Sequence, residues 1–333
     1  MSEPYHARTV WKHGVHRAEQ TVISRVILCV TIVVVSVLID SVAASQDADL
    51  VTAVRAAAAS HNYAQGEALV AAHRARSGVT PEMLVAVSWL GRGALADRRF
   101  DAADRYAHQA YDLAQMQLAR RTLDQEPQLP VAIGNAIDVL AQVLAERGAR
   151  SDAVALLTRE LTRHRATSIE KRIQKTLNLL TLAGTLAPPL DVSESLGPAS
   201  PTLASLKGKV VLLFFWAHWC ADCKAQSPIL ATIATRYASR GLVLVAPTQR
   251  YGYVADGKTA ERDEEKAYIA EVRRTYYSVL SDVPIPLAEA NHQRYGVAST
   301  PTLALLNRQG VVQLYHPGRM TEAELDAAIQ GLL

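Results

Sequence analysis

Apolar residues follow two different periods along the chain, and the change of period divides it into two parts. From Gln46 to about Leu186, apolar and small side chains recur at helical spacing, as in Leu90, Ala94 and Leu95, which predicts amphipathic helices. Beyond about residue 200, short continuous apolar runs alternate with amphipathic stretches, which predicts buried strands alternating with helices. The pattern therefore predicts an all-helical region followed by an α/β region.

The helical part, residues 46–186, contains one well-formed helix pair and two degenerate copies. The segment WLGRGALADRRFDAADRYAHQAYDL (Trp89–Leu113) carries small residues on two successive predicted helices, with Phe100 near the turn. It resembles a tetratricopeptide repeat. Val139–Leu161 and Leu50–Arg76 are weaker matches at irregular spacing. Such repeats often provide a partner-binding groove; a helical spacer with no ligand of its own is the other interpretation.

Prolines separate the two parts. The pairs Pro188-Pro189 and Gly197-Pro198 break helices and mark turns, so residues 187–200 are predicted as a linker and 201–333 as the second domain. Its predicted strands are Val210–Phe215, Leu242–Ala246, Thr302–Asn307 and Val311–Tyr315. Its predicted helices are Cys223–Tyr237, Ala260–Tyr277, Glu289–Tyr295 and Thr321–Leu332, the last with a capping box from Thr321 to Glu324.

The N-terminal segment, residues 1–45, has the pattern of an export signal. Val26–Ile39 is an uncharged apolar run with four basic residues before it and small residues at Ala43 and Ala44, as in a secretory signal peptide. The run is shorter than the usual membrane span of about 20 residues, but the long leader keeps an uncleaved membrane anchor open. Either way the rest of the chain is predicted to be exported. Cys29 is interpreted as a small apolar residue of this segment.

Composition narrows the class of protein. The 333 residues are 49% hydrophobic and 20% charged, which excludes a disordered chain and allows about two domains. Because 35 basic residues stand against 32 acidic ones, nothing favours a nucleic-acid partner. One long apolar run argues against a polytopic membrane protein.

The chemistry is predicted at Trp219-Cys220-Ala221-Asp222-Cys223, where a Cys-x-x-Cys opens a helix directly after a buried strand. At helical spacing the two sulfurs are close enough to bridge, and the helix N-terminus favours the thiolate of Cys220. Cys220 is therefore the predicted nucleophile and Cys223 the resolving cysteine. Half of a zinc site and an inert structural pair are the alternatives, but no second cysteine pair follows, so no metal and no cofactor is predicted.

The segment KGKVVLLFFWAHWCADCKAQSP (Lys207–Pro228), together with Thr300-Pro301 before a strand, resembles the thioredoxin superfamily. The resemblance is closest to its exported, often membrane-tethered thiol–disulfide oxidoreductases. It implies a thioredoxin fold after the helical-repeat domain, a cis peptide bond at Pro301, and partner binding at the backbone of Thr300. Trp219, Thr300 and Pro301 are accordingly the candidate substrate-binding residues.

Two departures from the family are visible. Phe214 occupies the position, six residues before the first cysteine, at which thioredoxins usually carry a buried carboxylate, and His218 and Lys224 are interpreted as surface residues rather than as its replacement. The region from Gln249 to Tyr277 is longer than its thioredoxin counterpart and rich in tyrosine, so it is either a recognition surface or ordinary packing. Within it, Glu261–Lys266 is interpreted as a solvated helix face.

The favoured function is an exported thiol–disulfide oxidoreductase, and Asp222 between the cysteines favours a reductase because it disfavours a nearby thiolate. A helical-repeat adaptor with a secondary redox role and a redoxin-type peroxidase are the alternatives; Ala217 replaces the threonine of a peroxidase Thr-x-x-Cys. With no other cysteine in the predicted mature chain, the disulfide acted on must belong to a partner protein. A membrane or exported thiol is the predicted electron donor.

Overall fold

A computed structural model describes residues 49–333; the predicted export segment and Cys29 lie outside them. The first part of the described chain is helical throughout. Its helices are α1 Leu50–Ala59, α2 Tyr63–Ser77, α3 Pro81–Ala96, α4 Phe100–Leu118, α5 Leu129–Glu146, α6 Arg150–Arg163 and α7 Glu170–Thr181.

Small residues let these helices pack closely. A Cβ atom on Gly66 of α2 would meet Leu90 Cδ2 at 2.6 Å, and one on Gly93 would meet Ala58 Cβ at 3.0 Å. Ala103 and Ala107 of α4 are buried against α3. The three sequence segments singled out as helix pairs each form two helices joined by a short turn, while the type of repeat stays a prediction.

Within residues 49–333, α5 is the one helix that is long and apolar enough to cross a membrane. Most of it is buried in the core of the helical region. A helix in a protein core can be as long and as apolar as a membrane-spanning helix, so the length and composition of α5 are weak evidence that it crosses a membrane.

The second part is an α/β domain built on a four-stranded sheet. The strands run in the order β3 (Leu242–Val245), β2 (Val210–Phe215), β5 (Thr302–Leu306) and β6 (Val312–Pro317). Strand β2 is parallel to β3 and antiparallel to β5. The helices are α8 Ala221–Tyr237, α9 Arg262–Tyr276, α10 Glu289–Arg294 and α11 Glu322–Gln330, and a short pair joins β1 Ser195–Leu196 to β4 Ile285–Pro286.

The central strands are buried on both faces, as their continuous apolar sequence requires. Strand β2 has the predicted bounds, and the other predicted strands and helices are present with ends shifted by one or two residues. Thr321 caps α11 through the predicted capping box with Glu324.

The segment predicted as a linker, residues 187–200, lies against the α/β domain. Leu190 and Leu196 are buried, and the backbone N–H of Asp191 donates to Asn291 Oδ1 at 2.7 Å. The helical region contacts the same domain through α7, where Lys171 pairs with Glu289 at 3.0 Å. The two regions therefore share a packed boundary.

Candidate active site

The Cys-x-x-Cys pair lies where strand β2 ends and α8 begins. Cys220 is the N-cap residue of α8, and the backbone N–H of Cys223 donates to its Sγ at 3.0 Å. The two residues form a disulfide with their Cα atoms 5.2 Å apart, a usual separation for such a bond. Cys223 is fully buried and Cys220 is 3% exposed, so Cys220 is the slightly more exposed of the two residues.

Strand β5 brings a second backbone segment to the same place. Because Thr302 pairs with Phe215, the residues before β5 lie beside the residues after β2. The Thr300–Pro301 peptide bond is cis, as the resemblance implies. The Cys220 Sγ lies 3.4 Å from the Thr300 carbonyl oxygen. The structure thus brings together four predicted site residues, Cys220, Cys223, Thr300 and Pro301.

Trp219, the fifth predicted site residue, lies beside the disulfide with half of its surface exposed. Its ring packs edge-on against Tyr251, with the ring centroids 5.6 Å apart. An exposed indole beside a redox pair offers an apolar surface with one polar group, which suits contact with a protein partner.

His218 is not a surface residue, so that prediction was wrong. It is 1% exposed, and its ring contacts Tyr251, Tyr253 and Tyr268 edge-on at centroid distances of 5.3 to 5.5 Å. Burial is the main cause of its lowered pKa, and the neighbouring Glu265 opposes the shift. His218 is therefore held neutral in an aromatic enclosure made by the tyrosine-rich segment.

Glu265 is the buried carboxylate beside the active site, and sequence reasoning missed it by treating Glu261–Lys266 as a solvated face. It is 1% exposed and accepts hydrogen bonds from the backbone N–H groups of Tyr251 at 2.5 Å and Gly252 at 3.0 Å. Its Oε1 lies 3.5 Å from His218 Nε2. The available signal was helical spacing, since Glu265 is four residues before the buried Ile269 and seven before Val272.

An aromatic side chain, Phe214, stands where thioredoxins usually carry a buried carboxylate. Phe214 is fully buried and packs against Tyr277, with the ring centroids 6.4 Å apart. Lys224 is half-buried, with its Nζ 4.1 Å from the centroid of the Tyr276 ring. Gln226, one turn beyond Cys223, is fully buried and exchanges two hydrogen bonds with the backbone of Met320.

Asp222, between the two cysteines, is exposed, and one carboxylate oxygen lies 3.8 Å from the guanidinium of Arg319. Exposed ion pairs at this distance contribute little. The carboxylate therefore stays a source of negative potential at the helix N-terminus, only partly balanced by Arg319.

Comparison with known proteins supports the assignment of this domain. A family model described as a thioredoxin-like domain matches residues 199–332. The chain is 31% identical over 144 residues to the thioredoxin-like protein YneN of Bacillus subtilis (strain 168), covering 43% of this chain and 76% of YneN. The chain belongs to the thioredoxin-like family.

Two further relatives carry more specific names. The chain is 32% identical over 121 residues to the thiol-disulfide oxidoreductase ResA of Bacillus subtilis (strain 168), covering 36% of this chain and 60% of ResA. The crystal structure of a putative thiol:disulfide interchange protein DsbE from Chlorobium tepidum aligns with a TM-score of 0.35 at 24% identity, over 45% of this chain and 96% of that one. The thioredoxin-like domain match and the similarity to YneN confirm the predicted family and fold. The name of ResA agrees with the predicted enzyme class, a thiol–disulfide oxidoreductase.

Proposed function

We propose that this protein is an exported thiol–disulfide oxidoreductase that reduces disulfides in partner proteins. The observation that carries the proposal is the Cys220–Cys223 disulfide at the N-terminus of α8, with the Cys220 sulfur beside the Thr300 carbonyl. A backbone segment next to a redox pair suits an extended partner chain that pairs with it through main-chain hydrogen bonds. Export is supported by the sequence pattern of residues 1–45.

The reaction begins with both cysteines reduced. The Cys220 thiolate attacks one sulfur of the partner disulfide, forming a mixed disulfide and releasing the other partner sulfur as a thiolate. The Cys223 thiolate then attacks Cys220, the intermolecular bond breaks, and the second partner sulfur leaves. Two electrons pass to the partner, whose two thiolates take up protons, and the enzyme is left with the Cys220–Cys223 disulfide. An exported or membrane thiol donor restores the dithiol.

The burial of the two sulfurs supports this order of steps. Cys223 is fully buried, while Cys220 follows Trp219 in the chain and has its Sγ 3.4 Å from the Thr300 carbonyl oxygen. Trp219 and Thr300 are the residues proposed to contact the partner. A partner sulfur approaching over Trp219 reaches Cys220 first. Cys223 is then in position to attack only within the enzyme.

The reducing direction is supported by Asp222. A carboxylate near the Cys220 thiolate disfavours the reduced, ionised form of the enzyme, and a less stable reduced form is a better electron donor. The helical part, residues 46–186, and the domain at 201–333 act together in this proposal, joined by residues 187–200. Residues 1–45 serve as signal peptide or membrane tether.

Insulin reduction by dithiothreitol tests the activity. We expect wild-type protein to accelerate it, Cys220→Ser to abolish the acceleration, and Cys223→Ser to accumulate a mixed disulfide with the substrate. Equal rates for wild type and Cys220→Ser would contradict an enzymatic role and favour the adaptor interpretation.

The direction of electron transfer is tested by the reduction potential of the Cys220–Cys223 pair. A value near that of thioredoxin, about −270 mV, supports a reductase, and one near about −120 mV contradicts it.

A further inference from the structure

A cleft of about 500 Å³ lies between the helical region and the candidate active site. Trp219, Tyr251 and the segment Val297–Thr300 line it on the side of the α/β domain. Helices α3, α5 and α7 and the residues just before α7 line it on the other side. A partner disulfide that reaches Cys220 over Trp219 therefore lies against the helical region as well.

Every charged side chain that lines this cleft is a cation: Arg92, Lys171, Arg172 and Lys175. Two of them have a carboxylate partner, since Lys171 pairs with Glu289 at 3.0 Å and Arg172 with Asp138 at 2.7 Å.

The other two cations form no ion pair among residues 49–333, although the charge of Asp138 acts on both from a distance. Arg92 donates to the neutral side chain of Asn135 at 3.1 Å. Lys175 forms no ion pair within 4.0 Å among residues 49–333, and Asp138 is the carboxylate whose charge reaches it. Its removal from solvent is the main cause of its lowered pKa; Arg172 and Arg92 add to the shift, and Asp138 opposes it. The cleft thus has an excess of about two positive charges.

Lys175 and the rest of α7 are held close to the backbone that leads to the disulfide. Gly296 has φ +59°, and a Cβ atom there would lie 2.4 Å from the backbone nitrogen of Lys175. The Asn178 side chain donates to the Arg294 carbonyl at 3.3 Å. Because Gly296 leads directly into Val297–Thr300, α7 is packed onto the backbone segment beside Cys220.

We propose that this cleft selects protein segments in which the cysteine to be reduced is flanked by carboxylate side chains. The inference rests on the proposed function and names its substrate class. A segment paired with the Thr300 backbone runs along the cleft, so its neighbouring side chains meet Arg92 and Lys175. Carboxylates there gain two ion pairs in a partly desolvated site, while lysine or arginine side chains are repelled.

Two peptides that carry the same intramolecular disulfide test the proposal, one with Asp and Glu beside the cysteines and one with Asn and Gln. We expect wild-type protein, kept reduced by dithiothreitol, to turn over the acidic peptide with a kcat/KM about tenfold higher at low salt. The preference should fall towards unity at about 1 M salt, where screening is nearly complete.

The variants Arg92→Gln and Lys175→Gln should each reduce the preference about threefold, and the double variant should abolish it, while turnover of the neutral peptide is retained. Lys207→Gln, an exposed lysine outside the cleft, is the matched control and should keep the preference. Lys175→Arg keeps the positive charge and should keep the preference for the acidic peptide.

The outcomes separate the inference from the proposed function. Equal turnover of the two peptides by wild-type protein, or a preference that survives both single substitutions, would overturn the inference and leave the reductase intact. If wild-type protein reduces neither peptide, the proposed reductase function fails and the inference fails with it.

Discussion

At the scale of single residues, burial decides what the charged groups near the disulfide do. Glu264 and Glu265 are adjacent in sequence, yet they differ in burial. Glu264 is half exposed and pairs with Lys258, whereas Glu265 is buried against the backbone of Tyr251 and Gly252. A buried carboxylate is stable only when its oxygens are satisfied. Glu265 meets this condition by accepting two backbone N–H groups from Tyr251 and Gly252, and so it shapes the loop beside Trp219.

Glu265→Gln is expected to destabilise the protein. The amide keeps one acceptor oxygen, but its NH₂ group faces a backbone N–H that then has no acceptor. A buried donor left in that way costs about 1–3 kcal/mol. Urea unfolding followed by circular dichroism measures the loss. Glu264→Gln is the matched control and should stay within about 0.5 kcal/mol of wild type; equal losses for the two variants would contradict the assigned role.

At the scale of elements, the α/β domain was predicted well because its signals are local. The apolar run Val210–Phe215 predicts a central strand by itself, and Thr321 with Glu324 marks the start of the last helix. The pairing of Ser195–Leu196 with Ile285–Pro286 was not predicted, because two-residue strands have no periodic pattern. The prolines of residues 187–200 indicate only where the helices end, because they carry no signal for the surface on which that segment packs.

An ion-pair cluster joins residues 187–200 to the tyrosine-rich region. Glu194 accepts bidentate hydrogen bonds from Arg250 at 2.6 and 2.9 Å and lies 2.8 Å from Lys266 Nζ. Arg250 is the main cause of the lowered pKa of Glu194, about 2. The contact joins the residue before β1 to the start of the tyrosine-rich segment and to α9.

Glu194 is therefore expected to make stability depend on acid pH. Its folded pKa, about 2, lies below its ordinary value of 4.5, so the stabilisation is complete above about pH 5 and is lost as pH falls towards 2. With partial solvent screening we expect about 1–3 kcal/mol. Glu194→Gln should lose this amount at pH 7 and show a flatter decline of unfolding free energy between pH 5 and 2. Glu271→Gln, at an exposed position, is the control; if its decline matches that of Glu194→Gln, the cluster does not have this role.

At the scale of the whole molecule, the boundary between the helical region and the α/β domain decides how the site is enclosed. The helices and the strands can each be predicted from the sequence, but their mutual placement cannot, because no periodic signal encodes a contact between α7 and the segment after α10. Gly296 is the residue on which this contact depends. Its positive φ and its approach to the backbone of Gln174 and Lys175 leave no room for a side chain.

Gly296→Ala is expected to separate α7 from the loop that leads to Thr300. The added methyl group would lie 2.4 to 2.7 Å from backbone atoms of Gln174 and Lys175, and backbone atoms cannot move aside as the end of a flexible side chain can. The left-handed backbone at this position adds about 1–2 kcal/mol of strain. Gly184→Ala isolates the second effect, since Gly184 also has a positive φ, 84°, but nothing lies within 4 Å of its Cβ position.

We therefore expect Gly296→Ala to lose at least about 2 kcal/mol more than Gly184→Ala and to speed amide hydrogen exchange in residues 170–181. Because the cations of α7 would move away from the disulfide, the preference for acidic peptides should fall while reduction of the neutral peptide persists. Equal stability of the two alanine variants, with unchanged exchange in α7, would show that the boundary does not depend on this contact.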